Sequence, residues 1–322
     1  MVAEPLLQTI DLVKSFAVRR GRFGQHQFRL VAVDRVNLTV GQGETLGIVG
    51  ESGCGKSTLG LTMMRLYEPT SGRIVLDGED LSKLDANRLR KTRPKMQMIF
   101  QDPFASVDPR LTVEQIIREP LDINHVSTAA ERREQVRQLS SVVQLPADAL
   151  NRFPVEFSGG QQQRIGIARA LALQPKLLIC DEPVSSLDVS VQAQILNLLR
   201  DLQESFNLSL VFISHNIAVT AFMSKRIGVM YLGRLVEIGP RTTIIESARH
   251  PYTQALIAAV PEPDPERQRT RRALTGDVPS PIDRPPGCPF HPRCPLAQDI
   301  CREEEPQLRP MAPDHLAACH FA

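Results

Sequence analysis

Four short polar motifs follow one another along the 322-residue chain, and each contains residue types that bind phosphate, metal ions or water. In chain order they are Gly50-Glu51-Ser52-Gly53-Cys54-Gly55-Lys56-Ser57, Gln101-Asp102-Pro103, Ser158-Gly159-Gly160-Gln161 and Asp181-Glu182, with His215 after a later apolar run. The first has the spacing of a phosphate loop, and the third is a second glycine-rich helix start. This order predicts a machine driven by a nucleoside triphosphate and built from two such chains.

The phosphate loop (Gly50–Ser57) fits G-x-x-x-x-G-K-[ST] between the apolar run Thr45–Val49 and a predicted helix, the context that this motif requires. We expect Lys56 to reach the β- and γ-phosphates and Ser57 to ligate Mg²⁺. Cys54 is either a small permitted residue or a thiol whose pKa is lowered at a helix N-terminus. The ATP-binding residues assigned to this segment are Gly50, Glu51, Ser52, Gly53, Cys54, Gly55, Lys56, Ser57 and Thr58.

Two further apolar runs also end in residues suited to catalysis. Asp181 follows Leu177 to Cys180, where a Mg²⁺ ligand belongs, and Glu182 comes next, where a carboxylate can polarise the attacking water. His215 follows Leu208 to Ile213 and is expected to contact the γ-phosphate. Alone, such residues would be a solvated turn, a helix cap or a structural histidine; beside a phosphate loop the catalytic interpretation is favoured.

The signature loop (Ser158–Gln161) precedes a predicted helix and therefore predicts a second anion site. The chain has one phosphate loop, so this second site is expected to serve the nucleotide of another subunit. Asp188, in Ser185-Ser186-Leu187-Asp188, is placed to line the same interface.

The distribution of apolar residues predicts an α/β fold. Continuous apolar runs that end in polar groups are typical of strands buried on both faces of a parallel sheet. Two more predicted strands, Leu6 to Leu12 and Val31 to Val40, are joined by a stretch that contains Arg19, Arg20 and Arg22. Residues 110–155, rich in Gln, Arg and Glu, predict a helical insert. The predicted helices are Thr112–Arg118, Thr128–Val143, Gln161–Leu173 and Val189–Phe206.

Composition and charge exclude several classes of protein. An apolar content of 42% with 23% charged residues is globular, and a formal net charge of +2 does not predict a nucleic-acid binder. No apolar run approaches the ~18 residues that a membrane-spanning helix needs, and the start resembles no secretory signal. We therefore expect a cytoplasmic protein whose membrane role, if any, depends on a partner.

The last 62 residues differ from the rest because they hold 13 of the 25 prolines and 4 of the 6 cysteines. Such a segment is not expected to build an apolar core of its own. Cys288, Cys294, Cys301 and Cys319 predict a metal centre, since disulfides are disfavoured in a reducing compartment. Their spacing leaves zinc and an iron–sulfur cluster equally open.

Together the motifs resemble those of the ATP-binding-cassette (ABC) ATPases over about residues 5 to 260. The resemblance implies a RecA-like mixed sheet core, an antiparallel β subdomain and a helical insert, followed by a small Cys/Pro-rich C-terminal extension. The expected boundaries are 1–260 for the ATPase domain, about 104–173 for the inserted helical subdomain and 261–322 for the extension with the four-cysteine metal site.

Membership of the ABC ATPase family would also assign functions to particular residues. Gln101 would sense Mg²⁺ and link ATP to a transmembrane partner, and Phe16 would stack on adenine. Two ATP molecules would lie between the phosphate loop of one subunit and the signature loop of the other. Phe157 and Gln162 depart from the residues most frequent beside the signature, but they flank the contacting residues.

Finer motifs resemble the dipeptide and oligopeptide importer subfamily, in particular one of the two ATPase subunits of dipeptide permeases. They are Asp188-Val189-Ser190-Val191-Gln192-Ala193-Gln194, Met230-Tyr231-Leu232-Gly233, His250-Pro251-Tyr252-Thr253-Gln254-Ala255-Leu256, Pro279-Ser280-Pro281 and Gly287-Cys288-Pro289-Phe290. This resemblance implies a second homologous ATPase, two membrane permeases, an indirect periplasmic or extracellular substrate-binding protein, and a peripheral place on the cytoplasmic face of the inner membrane. It also favours a 4Fe–4S cluster over zinc on the four cysteines.

Two kinds of alternative remain: a different transported substrate, and a different class of ATP-binding protein. Nickel and glutathione importers have similar ATPase subunits. An ABC ATPase of DNA repair or of chromosomes would insert a long coiled coil or a zinc module before its signature, and a translation-associated ATPase would carry two cassettes on one chain. Only about 100 residues separate Ser57 from Ser158, and the chain has one cassette. An iron–sulfur scaffold with incidental ATP binding would not need Glu182 and His215.

Overall fold

The computed structural model describes residues 4–20, 26–102, 107–260, 276–277 and 279–322. These residues form two compact units, which we treat separately. Unit 1 comprises Met1–Val40, Thr45–Lys83 and Phe212–Ala322, and unit 2 comprises Gly41–Glu44 and Leu84–Val211, each as far as it is described.

The described residues contain twelve strands and ten α-helices. The strands are β1 (Leu7–Arg20), β2 (His26–Val40), β3 (Thr45–Val49), β4 (Ser71–Leu76), β5 (Glu79–Asp80), β6 (Met96–Ile99), β7 (Leu177–Asp181), β8 (Ser209–Ser214), β9 (Arg226–Tyr231), β10 (Arg234–Pro240), β11 (Arg309–Ala312) and β12 (His315–Ala317). The helices are α1 (Lys56–Met63), α2 (Ala86–Thr92), α3 (Val113–Ile123), α4 (Ala129–Val142), α5 (Gly159–Leu171), α6 (Val189–Phe206), α7 (Ile217–Met223), α8 (Arg241–Ser247), α9 (Pro251–Ala258) and α10 (Ile300–Glu303).

Unit 1 contains an antiparallel sheet in the order β2-β1-β4-β5. Leu7 lies opposite Val40 on one side and Leu76 on the other, and all three are fully buried. Strands β1 and β2 are longer than the two apolar runs that predicted them, because their pairing continues to Arg20 and His26. The side chains of Arg19 and Arg20, and all of Arg22, lie outside the described residues.

A second set of strands in unit 1 supports the phosphate loop. Strand β3 runs parallel to β9, and β9 and β10 form an antiparallel hairpin. The extension continues this set, since β12 pairs with β10 and β11 pairs with β12. All five residues of β3 are buried, as expected for an apolar strand covered on both faces.

The C-terminal extension joins the apolar core of unit 1. Phe290 lies 5.3 Å from the Tyr231 ring and 5.4 Å from the Tyr252 ring, measured between centroids, and Cys288 and Cys301 belong to the same buried cluster. The described part of the extension therefore shares an apolar core with the rest of unit 1. No pattern in the sequence indicated this shared core.

Polar contacts also attach the extension. The His315 ring lies 2.8 Å from the carboxylate of Glu237, and both side chains are buried. Glu237 accepts two further hydrogen bonds, from the backbone N–H groups of Arg249 and His250. Arg284 donates to Asp34 at 2.6 Å and to the carbonyl of Val31 at 2.6 Å. Burial of such groups is tolerated because they are paired.

Unit 2 contains the parallel strands β6 and β7, with Met96 opposite Leu177, and the helices α2 to α6. Thr112 and Thr128 cap α3 and α4 through capping boxes with Gln115 and Glu131, which explains why the predicted starts were accurate to one residue.

The predicted end of α3 was wrong. Helix α3 runs past Arg118 to Ile123 and includes Pro120. Arg118 bridges Glu114 and Asp122, one turn before and one turn after it, and Leu121 is fully buried. These contacts offset the hydrogen bond that proline removes.

The chain passes from unit 2 to unit 1 within β8. This strand begins and ends one residue later than the predicted run, Leu208 to Ile213. Among the described helices, none combines the length and the hydropathy that crossing a membrane would require.

Candidate functional site

The predicted site residues divide between the two units. Unit 1 carries Phe16, the phosphate loop and His215, whereas unit 2 carries Gln101, the signature loop, Asp181, Glu182 and Asp188. Each group is therefore described within its own unit. Pro103, the last residue of the second motif, lies outside the described residues.

The phosphate loop turns directly from β3 into α1. Gly55 caps α1 in the left-handed region at φ 105°, and a Cβ there would lie 2.1 Å from the carbonyl oxygen of Ala32. The N-cap position is this glycine, so no N-cap side chain accepts a hydrogen bond from the first turn of the helix. Such a start is suited to phosphate oxygens.

Lys56 is the buried cation of this loop. Its side chain folds back, and its Nζ donates to the carbonyl oxygens of Gly50 at 2.8 Å and Glu51 at 3.0 Å. The residue is only 4% exposed. A positive charge held beside the turn is what a triphosphate requires.

Residues far along the chain hold the loop in shape. The backbone N–H of Glu51 donates to the hydroxyl of Tyr252 at 2.8 Å, and the N–H of Gly233 donates to the carbonyl of Cys54 at 2.7 Å. Arg293 donates two hydrogen bonds to the Glu51 carboxylate. The geometry of the loop thus depends on contacts that its own sequence does not contain.

Cys54 is buried within the loop. Burial raises the pKa of its thiol, although the nearby Lys56 ammonium acts in the opposite direction. This is the reverse of the shift expected for a reactive thiolate, so the structure favours the interpretation of Cys54 as a small packing residue.

Phe16 lies on β1 and makes an edge-to-face contact with Tyr67, with 5.4 Å between ring centroids. The ammonium of Lys14 lies 4.9 Å from the Phe16 ring centroid and donates to the carbonyl of Glu68 at 2.8 Å. Tyr67, which the sequence did not single out, is 39% exposed. This aromatic surface can stack on a planar base.

In unit 2 the structure brings Gln101 and Glu182 together. The side-chain amide of Gln101 donates to the Glu182 carboxylate at 3.3 Å. Glu182 has φ 45°, a left-handed conformation that is uncommon for a non-glycine residue. The N–H and hydroxyl groups of Ser185 both donate to its carbonyl oxygen, at 3.2 and 3.1 Å, which stabilises this turn. Strained residues held in this way are typical of functional sites.

Asp181 and His215 stand at strand ends, as predicted. Asp181 is the last residue of β7 and is 6% exposed. His215 follows the last residue of β8 and is exposed.

The signature loop begins α5 with a capping box. The Ser158 hydroxyl accepts from the backbone N–H of Gln161 at 3.4 Å, and the Gln161 side chain accepts from the N–H of Ser158 at 3.0 Å. A Cβ on Gly160 would lie 2.3 Å from a methyl carbon of Val191, so glycine permits close packing on α6. Ser158 itself remains exposed.

Asp188 caps α6 next to this loop. Its carboxylate accepts from the Ser190 hydroxyl at 2.7 Å and the Val191 N–H at 3.0 Å. These two hydrogen bonds hold the pKa of Asp188 below its usual value, so the cap is ionised at neutral pH.

The four cysteines of the extension lie in one part of unit 1. Burial raises the pKa of the Cys288 thiol to about 11, and the neighbouring Cys301, Cys294 and Cys319 add to that shift. In the part of the chain that the structure describes, however, no three or more His, Cys, Asp or Glu side chains are arranged around a metal position. The donor chemistry suits a metal centre, whereas the side-chain arrangement is not preformed for one.

Comparison with known proteins agrees with these observations. The family described as "ABC transporter" matches residues 33–185, and the one described as "Oligopeptide/dipeptide transporter, C-terminal region" matches residues 236–301. The oligopeptide transport ATP-binding protein AppF of Bacillus subtilis (strain 168) is 50% identical over 99% of this chain and 98% of its own. The chain belongs to the ABC transporter ATP-binding proteins. It is therefore an ATPase of the cassette type.

Other relatives of this ABC ATPase support the assignment. The probable peptide ABC transporter ATP-binding protein y4tS of Sinorhizobium fredii is 51% identical over 99% of this chain and 90% of its own. A dimeric post-hydrolysis structure of the ATP-binding cassette MJ0796, bound to ADP and Pi, has a TM-score of 0.65 at 30% identity, covering 73% of this chain and 98% of that one. The expected cassette fold is confirmed, with its antiparallel and mixed sheets.

Three residues of the site escaped the sequence analysis: Tyr67, Tyr252 and Arg293. Tyr252 lay within a motif used only to recognise the subfamily, and Arg293 lies between two cysteines that drew attention to metal binding. The contacts of Tyr252 and Arg293 with Glu51 of the phosphate loop join residues that are 201 and 242 positions apart, so no local pattern marks these two residues.

Proposed function

We propose that this ABC ATPase supplies the energy for import of dipeptides or oligopeptides through a membrane transporter. The observation that carries the proposal is the match of residues 236–301 to the C-terminal region of oligopeptide/dipeptide transporters, in a chain about 50% identical to AppF along its length. ATP-driven closure of a dimer of ATPases and reopening after hydrolysis are the motions that would drive transport.

Within each ATP site, the roles follow from side-chain chemistry. Lys56 binds the β- and γ-phosphates, and Glu182 accepts a proton from the attacking water while Gln101 holds its carboxylate. Ser57, Gln101 and Asp181 supply oxygen donors of the kind that Mg²⁺ prefers, and the ion would neutralise phosphate charge. His215 contacts the γ-phosphate, and Phe16 stacks on adenine.

The signature loop acts on the nucleotide of a second, homologous ATPase subunit. Support comes from the exposure of Ser158 and from the two glycines at the start of α5. Asp188 lines the same interface. A dimer that shares its nucleotides in this way hydrolyses ATP only when both chains are assembled.

The remaining partners are two transmembrane permeases and, indirectly, an extracytoplasmic substrate-binding protein, with the ATPase peripheral on the cytoplasmic face of the inner membrane. The helical insert, about 104–173, and the loop of Gln101 carry the coupling. The exposed apolar side chains Phe153, 43% exposed, and Val155, 67% exposed, give the insert a surface suited to a protein partner. We retain 1–260 and 261–322 as the domain boundaries.

For the four cysteines we propose a 4Fe–4S cluster, with zinc as the alternative. Support comes from the donor set of four neighbouring thiols, and sites of this kind commonly form only as the metal binds. Metal and sulfide analysis of protein purified without oxygen tests this proposal. Iron with acid-labile sulfide in near-equal amounts supports the cluster, zinc alone supports the alternative, and neither metal excludes both.

The transport proposal is tested on complexes purified through a tag on this chain. We expect two permeases and a second ATPase by mass spectrometry, and ATP hydrolysis stimulated by a dipeptide-loaded binding protein. Stimulation by nickel or glutathione instead would move the substrate to those importers. Recovery of nucleic-acid or ribosomal partners would overturn the transporter assignment.

A further inference from the structure

An arginine of the extension is joined to the phosphate loop by a two-point contact. Arg293 Nη1 lies 2.7 Å from Glu51 Oε2, and its Nη2 lies 2.9 Å from Oε1. The Arg293 side chain is 5% exposed and that of Glu51 is 26% exposed. Paired bonds of this kind are stronger and more directional than a single contact between exposed charges.

The position of Arg293 is fixed by its neighbours. Arg293 is the last residue of the short helical turn His291–Arg293. Phe290, directly before this turn, is buried against Tyr231 and Tyr252. The hydroxyl of Tyr252 in turn accepts a hydrogen bond from the backbone N–H of Glu51. The same group of residues therefore holds both the backbone and the side chain of Glu51.

Glu51 needs such a partner because of where it lies. Its carbonyl oxygen accepts from Lys56 Nζ at 3.0 Å, so this acidic residue is part of the turn that receives a triphosphate. An uncompensated carboxylate there would repel the negatively charged nucleotide. A guanidinium bound at both carboxylate oxygens cancels that charge and keeps the side chain turned toward the extension.

We propose that Arg293 is a positioning residue for ATP binding, through which the C-terminal extension neutralises Glu51 and sets the affinity of the phosphate loop for MgATP. Arg293 itself touches no nucleotide. The inference depends on the ATP site and not on the transported substrate, so its failure would leave the peptide-import proposal standing.

The test is a charge-rescue cycle on the full-length chain, with MgATP affinity measured by titration calorimetry. Arg293→Met should raise the Kd about tenfold, equivalent to about 1.4 kcal/mol, and the deficit should shrink at high salt. Removing the repelling charge as well, in Glu51→Gln/Arg293→Met, should return the Kd to within about threefold of the parent. Arg302→Met removes an exposed charge from the same extension and should leave the Kd unchanged.

Two results would overturn the proposal. One is a parental Kd for Arg293→Met. The other is a double variant as weak as Arg293→Met, which would mean that the arginine acts only on structure. If Arg293→Met fails to fold, Arg293→Lys replaces it: its smaller deficit should disappear in the Glu51→Gln background, and its persistence there would contradict the mechanism. In the assembled ATPase, the KM for ATP should rise while kcat stays unchanged.

Discussion

The phosphate loop and the signature loop are both glycine-containing helix starts, yet they are stabilised in opposite ways. The phosphate loop has no side-chain cap and depends on Tyr252, Gly233 and Arg293, which lie far away in sequence. The signature loop satisfies its own backbone through the Ser158–Gln161 capping box. The loop that we propose to bind the nucleotide of its own chain is thus supported by long-range contacts, whereas the loop that we propose to act on a partner's nucleotide is capped by its own neighbours.

The comparison predicts first that the signature loop matters only in the assembled complex. Ser158→Arg places a long cation at the exposed start of α5, and we expect ATP hydrolysis by the complex to fall about 100- to 1000-fold. The Kd of the isolated chain for MgATP should stay within about twofold of the parent value. Single-turnover and binding assays measure the two effects.

Ser141→Arg is the matched control, since Ser141 is an exposed serine of the same unit. It should behave like the parent in both assays. Loss of nucleotide binding by the isolated Ser158→Arg chain would contradict the division of roles between the two loops.

The converse change affects the phosphate loop. Lys56→Met removes the buried ammonium but keeps an apolar stem, and we expect the Kd of the isolated chain for MgATP to rise about 100-fold. Titration of full-length protein measures it, with the thermal midpoint as a check on folding. An unchanged Kd would mean that Lys56 serves only to hold the carbonyls of Gly50 and Glu51.

The contrast between local and long-range contacts also explains how much of the site can be predicted from the sequence. Strand β3 and the capped starts of α3 to α6 are encoded by neighbouring residues, and the sequence predicts them closely. The contact of Tyr252 with Glu51 and the pairing of β12 with β10 join distant segments. Hydrophobic periodicity carries no information about which distant segments meet, so these features required the structure.

Cys54 gives a test of how tightly the phosphate loop is packed. Burial raises the pKa of its thiol, so less thiolate exists at any pH below that value than for a free cysteine. At pH 8 we expect alkylation of the native chain to be about tenfold slower than that of a model thiol, and the rate to go on rising as pH increases past the ordinary thiol pKa. The Cys54→Ser variant identifies the part of the alkylation signal that comes from Cys54. An alkylation rate that levels off below pH 8 would indicate that Cys54 is a thiolate, contrary to this prediction.

The smallest effect concerns the hydroxyl of Tyr252. Tyr252→Phe keeps the ring in the buried aromatic cluster but leaves the Glu51 N–H without its 2.8 Å acceptor. We expect the free energy of unfolding to fall by about 1 kcal/mol and the Kd for MgATP to rise about threefold, because a donor that loses its acceptor disturbs the turn without removing a phosphate contact. Denaturant unfolding and calorimetric titration measure these changes.

Tyr67→Phe, which alters the hydroxyl of a partly exposed tyrosine in the same unit, is the control for unfolding and should cost less than about 0.5 kcal/mol. If Tyr252→Phe matches this control in unfolding and leaves the Kd for MgATP at the parental value, the phosphate loop does not need its long-range support, and the distinction between the two loops fails.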